Sequence, residues 1–140
     1  MKMVTFPGRY DSLAKISEFV IQAAKDAGLD SKAVYAVELS VDEACCNIID
    51  HAYGGEDIGD MQCSVQIQPG QLTVILRDQG EPYNPDDVPE LKMNVPLEDL
   101  KLGGAGVFLI KNLMDEVHYR SEPGSENVLT LVKRQPSSSI

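Results

Sequence analysis

Apolar residues recur at Leu13, Ile16, Val20, Ala23 and Ala27, three or four positions apart, which is the spacing of one helix face. Asp11 or Ser12 can cap this helix, and Gly28 can stop it. A second stripe of Val34, Val37, Val41, Cys45, Ile48 and Ala52 predicts a helix opened by Asp30 or Ser31 and ended by Gly54-Gly55. At about 100° per residue, Glu43, Asn47 and Asp50 lie nearly opposite that stripe. Residues 61–68 alternate strictly, as a half-buried strand does, and Pro69-Gly70 turns the chain into a second strand over 72–78. Residues 1–6 alternate loosely and predict an edge strand, ended by Pro7-Gly8. Residues 107–114 are apolar nearly all round, which predicts a buried helix, and 117–121 with 128–134 flank a turn at 122–126, a second hairpin. Between them, over 79–101, periodicity dissolves and Pro82, Pro85, Pro89 and Pro96 sit among acidic residues. A stretch of that kind inside a compact domain is commonly functional or mobile.

The order is strand, two helices, hairpin, long loop, helix, hairpin, with no internal repeat. Hairpins favour an antiparallel sheet with one face under helices and the other wet. The fold class expected is α/β, a two-layer sandwich of a mostly antiparallel mixed sheet with helices on one face. Residues 1–134 are expected to form one domain, a length that suits a single core, and residues 135–140 a disordered polar tail.

Composition narrows the functions. The chain has 140 residues with a net charge of −10, so nucleic acid would be repelled, and no basic run offers it a footprint. No apolar run approaches the roughly 20 residues a membrane helix needs, and the first ten residues lack the apolar core of a signal peptide. A cytoplasmic location is expected. The three cysteines, Cys45, Cys46 and Cys63, show no CxxC spacing and read as small side chains in a reducing compartment.

The polar signals are modest one by one. Glu43 and Asn47 stand four apart, one turn of a helix, a common pair on solvated faces. Asp78-Gln79-Gly80 at a strand end is in isolation a turn. Gly103, Gly104, Ala105 and Gly106 could set backbone amides against phosphate at the start of the following helix, or form a flexible loop, and no G-K-[ST] follows them. Lys101 and Lys111 are candidate counter-charges. His51 reads as a histidine favourable at a helix C-terminus.

Taken in order, E-x-x-x-N at Glu43 and Asn47, D-x-G at Asp78 and Gly80, and GGAGVFLIKNLMDEV over 103–117 resemble the GHKL ATPase superfamily, and within it the anti-sigma factor serine/threonine kinases of the RsbW and SpoIIAB type. The resemblance runs from the first helix through the last hairpin. It implies ATP and Mg²⁺ as cofactors, with Glu43 as general base, Asn47 as the Mg²⁺ ligand, and Asp78 accepting from the adenine amine beside a side-chain-free Gly80. Lys101, Gly103, Gly104, Ala105 and Gly106 would meet the phosphates, and residues 81–102 would be the ATP lid. It also implies a STAS-domain antagonist as phosphoryl acceptor, a sigma factor as a second partner, and a homodimer. A histidine kinase would need a dimerising helical hairpin bearing its acceptor, for which these 140 residues leave no room. The chain departs from the family at Lys101-Leu102-Gly103, with no arginine before the glycines. That departure keeps a second reading in play, an ATP-gated sequestering module with little kinase activity. A third, an ATP-independent interaction domain, conflicts with the intact Glu43, Asn47, Asp78 and Gly80.

Overall fold

The computed structural model describes residues 1–82, 110–122 and 124–136. Strand β1 (Lys2–Pro7) leads through a short 3₁₀ turn (Tyr10–Ser12) into α1 (Leu13–Asp26) and α2 (Ser31–Asn47), which runs on as a π-helical turn over Ile48–Ala52. Strands β2 (Asp60–Gln68), β3 (Gln71–Asp78), β4 (Glu116–Ser121) and β5 (Asn127–Arg134) follow. The sheet order is β1-β2-β3-β5-β4, and all four pairings are antiparallel. The expected two-layer α/β fold is the one observed.

The helices lie on one face. Ile16 and Val20 of α1 and Val37, Val41 and Cys45 of α2 share a core with Met61, Cys63 and Val65 of β2, Leu72, Val74 and Leu76 of β3, and Leu131 of β5. In β3 every second residue is buried, as the alternation required. In β5 it is not so simple: Val128 and Val132 are buried on the opposite face while Leu131 is buried in the core. Of the helix expected over 107–114, residues 110–113 are helical. Ile110 and Met114 are buried, but Lys111 and Asn112 are exposed, so this part has a wet side rather than being buried all round.

One corner fixes both helices. Leu29 N–H donates to Ala24 O at 3.1 Å and Gly28 N–H to Lys25 O at 3.0 Å, with Gly28 at φ +83°, the Schellman stop of α1. Asp30, one of the two caps expected for α2, accepts from Ala33 N–H at 2.8 Å. Its carboxyl is held below the usual range by the side-chain bond from Gln135 and the backbone bond from Ala33. Gln135 also accepts from Asp30 N–H at 2.8 Å and donates its own N–H to Gly70 O at 2.8 Å. The start of α2 is thereby tied to the β2–β3 turn and the end of β5. Residues 137–140 of the expected tail lie outside the described residues.

Candidate functional site

The far end of α2 carries the first two candidates. Glu43 is half-buried, and Asn47 is 7% exposed. Asn47 was expected nearly opposite the apolar stripe, and it is instead buried. The reason is the breadth of the helix's hidden face: Ala33, Ala36, Ser40 and Ala44 are buried beside the predicted stripe, so close to half the circumference is covered and Asn47 stands at its edge. Small residues let the chain approach there without giving a strong apolar signal. Glu43, one turn back, sits just outside that arc. Burial raises its carboxyl above the usual range, helped by the neighbouring Asp42 charge. Among the described residues neither Glu43 nor Asn47 has a hydrogen-bond partner from the protein. Asp50, one turn further, accepts from the Tyr10 hydroxyl, whose pKa is pushed up to about 12, first by that bond.

Past Asn47 the helix widens. Tyr53 N–H donates to Ile48 O at 2.9 Å and Gly55 N–H to Ile49 O at 2.8 Å, bonds to carbonyls five and six residues back that mark a π turn and its exit. Single π turns are often found at functional sites. The Ala52 carbonyl, at the end of the helix and so without a donor within it, accepts from Glu81 N–H at 2.7 Å. The N-terminal half of the site is thus locked to the turn after β3.

That turn is held at every backbone donor. Gln79 N–H donates to the Tyr53 hydroxyl at 3.0 Å, Gly80 N–H to Asp78 Oδ1 at 2.9 Å, and Glu81 N–H to Ala52 O. Gly80 lies so close to α2 that a Cβ would stand 2.4 Å from Ala52 O, a distance no side chain tolerates. Its lack of a side chain was expected to make room for a base, and the structure shows that packing against the helix requires it too. Asp78 is 7% exposed. Burial raises its carboxyl above the ordinary range, opposed by hydrogen bonds from Asn127 and the Gly80 amide. Beside the turn opens a cleft of ≈ 830 Å³ lined by Tyr53, Gly59, Gly80, Pro82, Ser125 and Asn127 among others.

Asn127 escaped the sequence reading. It is 3% exposed and pairs with Asp78 in the β3–β5 register. Its Nδ2 donates to Asp78 Oδ1 at 2.8 Å and to Gly80 O at 3.0 Å. A polar residue at a core-facing strand position was the available signal, but both faces of β5 carry apolar residues, so the core-facing parity could not be read.

Lys101, Gly103, Gly104, Ala105 and Gly106, and the lid expected over 81–102 beyond Pro82, lie outside the described residues. Lys111 is exposed. Burial pushes the Cys63 thiol up to about 12 and Cys46 to about 11, and lifts Cys45 well above the ordinary value. No group of three or more metal-ligating side chains occurs among the described residues, and none of their helices is long and apolar enough to cross a membrane.

A helix-borne Glu and Asn are thus joined through a π turn to a buried Asp-x-Gly turn on an antiparallel sheet. The chain belongs to the histidine kinase-like ATPase domain family, which matches residues 6–133. It is 30% identical over 125 residues to the serine-protein kinase RsbW of Halalkalibacterium halodurans, covering 86% of this chain and 76% of that one. RsbW of Listeria monocytogenes serotype 4a is also 30% identical, with 86% and 78% covered. In fold, the chain resembles the crystal structure of the RsbU and RsbW domains of Rv1364c from Mycobacterium tuberculosis, with TM-score 0.63 and 12% identity, covering all of this chain and 35% of that one. It also resembles the SiaB-SiaC complex from Pseudomonas aeruginosa, with TM-score 0.61 and 13% identity, covering 95% and 89%.

Proposed function

We propose that the chain binds ATP·Mg²⁺ and transfers the γ-phosphoryl to a serine or threonine of a STAS-type antagonist protein, as an anti-sigma-factor-like regulator that works by partner switching in the cytoplasm. The observation that carries this is the Asp78–Gly80 turn, held at each backbone donor and anchored to the helix bearing Glu43 and Asn47. The similarity to serine-protein kinases over most of the chain supports the reaction class. The resemblance to a SiaB-SiaC complex supports a protein partner, and a sigma factor and a second copy of the chain are proposed as further partners.

Glu43 is the base for the acceptor hydroxyl. Its raised carboxyl suits that work, because a base is most effective when its pKa approaches the working pH. Asn47 fits a magnesium ligand: an amide oxygen at the edge of a buried arc with no protein partner among the described residues, for an ion that takes few ligands from protein. When bound, magnesium would neutralise phosphate charge. Asp78 accepts from the adenine amine, and a guanine carbonyl at that place would be repelled. Lys101, Gly103, Gly104, Ala105 and Gly106 are proposed to hold the phosphates. The missing arginine before those glycines favours a second reading, a sequestering module gated by ATP with little transfer.

Titration calorimetry with ATP and GTP in magnesium tests the site, and phosphate transfer to a STAS-domain protein tests the reaction. ATP is expected to bind more tightly than GTP. Equal affinity would sink the role of Asp78, and ATP binding without transfer would select the sequestering reading.

A further inference from the structure

We infer that Asn127 is the positioning residue that gives the site its choice of base, by clamping Asp78 and the turn after it into one unit that offers a single carboxylate edge. This rests on the proposed reading of adenine by Asp78.

The geometry leaves the amide one orientation. Its Nδ2 faces three acceptors: Asp78 Oδ1 at 2.8 Å, Gly80 O at 3.0 Å and Glu81 O at 3.4 Å. Flipped, its oxygen would face a carboxylate and two carbonyls, with repulsion on every side. On the other side Asn127 Oδ1 accepts from the Ser121 hydroxyl at 2.7 Å, so the last residue of β4 holds the amide from behind. Both members of the pair are nearly sealed from water, where an unmet donor or acceptor is costly.

Two consequences follow. Asp78 Oδ1 receives both the Asn127 amide and the Gly80 N–H, and among the described residues no donor reaches Oδ2. The carboxylate is therefore one-sided, with one oxygen spent on the protein and the other available to a ligand amine. Secondly, the same amide holds the carbonyls of Gly80 and Glu81, so the direction in which the chain leaves β3 is set by the group that orients Asp78. Base recognition and the turn through Gly80 and Glu81 share one pin. Asn127 also works against the burial that raises the Asp78 carboxyl. Among the described residues, Tyr53 is a titratable group facing Asp78, its phenol raised by burial and further by the Asp78 charge. Arg77, alternate in β3 and thus on the opposite face, pairs with Glu126 at 3.7 Å.

The test uses Asn127→Leu, similar in size without donors, and Asn127→Thr, which keeps one donor. In Asn127→Leu, ATP affinity should fall roughly tenfold or more, as for loss of a bond to a charged group, and the ratio of ATP to GTP affinity should fall with it. Asn127→Thr should recover part of that ratio. Loss of fold alone would weaken both nucleotides together and leave the ratio of the folded fraction unmoved. Carbon-13 titration of the Asp78 carboxyl without nucleotide is the ligand-free arm: its pKa should rise in both variants, more in Asn127→Leu. Should Asn127→Leu not fold, Asn127→Thr carries both measurements. An unchanged affinity ratio together with an unchanged Asp78 titration overturns the inference. If the wild type binds no nucleotide, the proposed function fails, and the carboxyl titration still decides whether Asn127 sets Asp78.

Discussion

The two ends of the candidate site are built on opposite terms. At the β3 end, the three residues after Asp78 have their backbone donors met, two carbonyls are held by Asn127, and there is no room for a Cβ at Gly80. At the α2 end, Glu43 and Asn47 have no protein partner among the described residues. On the proposed function, Asp78 discriminates one base from another and gains from being immobile, because a misplaced carboxylate would accept from either. On the same proposal, Glu43 and Asn47 meet a hydroxyl and a metal and need their lone pairs unclaimed. The π turn reconciles them: it joins a rigid end to an open one within five residues.

The largest expected effect tests the open end. Glu43→Gln keeps the shape of the side chain and removes the proposed base, so phosphoryl transfer should fall by roughly 10²–10⁴-fold while ATP affinity holds. Rapid-quench transfer assays beside calorimetry separate the two quantities. Turnover equal to wild type would remove Glu43 from the chemistry, and a parallel loss of affinity would show that the open end also bears on binding.

How far these ends were legible beforehand differs in the same way. The alternation over 61–78 identified the hairpin, and with it the placement of Asp78 at a strand end. The stripe on α2 identified the helix carrying Glu43 and Asn47. The π turn left no trace, because an apolar pattern cannot tell bonds to the fourth residue back from bonds to the fifth. Burial of Asn47 was hidden by alanines and a serine, which are small enough to pack yet weakly apolar. The Asp78–Asn127 pair was beyond reach for another reason. It joins residues 49 apart in sequence, and the pairing of β5 against β3 rather than β4 alone is a non-local choice that no local signal encodes.

A middle-sized effect tests the rigid end. Asp78→Asn should weaken ATP binding by ~1.5–3 kcal/mol, the range for a hydrogen bond with a charged partner, and narrow the preference over GTP. Its effect on the nucleotide-free protein should run the other way. The folded Asp78 carboxyl is raised above its unfolded value, so its favourable contribution is present in full below the unfolded pKa, roughly 3.9, and is lost as pH rises through the folded pKa. At neutral pH the charged, buried carboxylate is therefore a cost to the fold. Asp78→Asn should be at least as stable as wild type at pH 7, and its relative advantage should shrink as pH falls toward 4. Chemical denaturation at several pH values measures this. A variant less stable at pH 7 than at pH 4, relative to wild type, would mean that the bonds to Asn127 and Gly80 outweigh burial.

The smallest effect asks whether the rigid end is over-determined. The Tyr53 hydroxyl donates to Asp60 O at 2.6 Å and accepts from Gln79 N–H at 3.0 Å, and its ring fills the space against Gly59, where a Cβ would stand 2.5 Å from Cε1. Tyr53→Phe keeps the ring and removes both bonds. Gln79 and Asp60 are exposed, so water can replace much of what is lost, and stability should fall by only ~0.5–1.5 kcal/mol. ATP affinity should fall less than in Asp78→Asn, because Gly80 N–H, Glu81 N–H and the Asn127 amide still hold the turn. Calorimetry on both variants in one buffer makes the comparison direct. If Tyr53→Phe loses as much ATP affinity as Asp78→Asn, the turn has no redundancy, and the contrast between a pinned end and an open end reduces to a single hydroxyl.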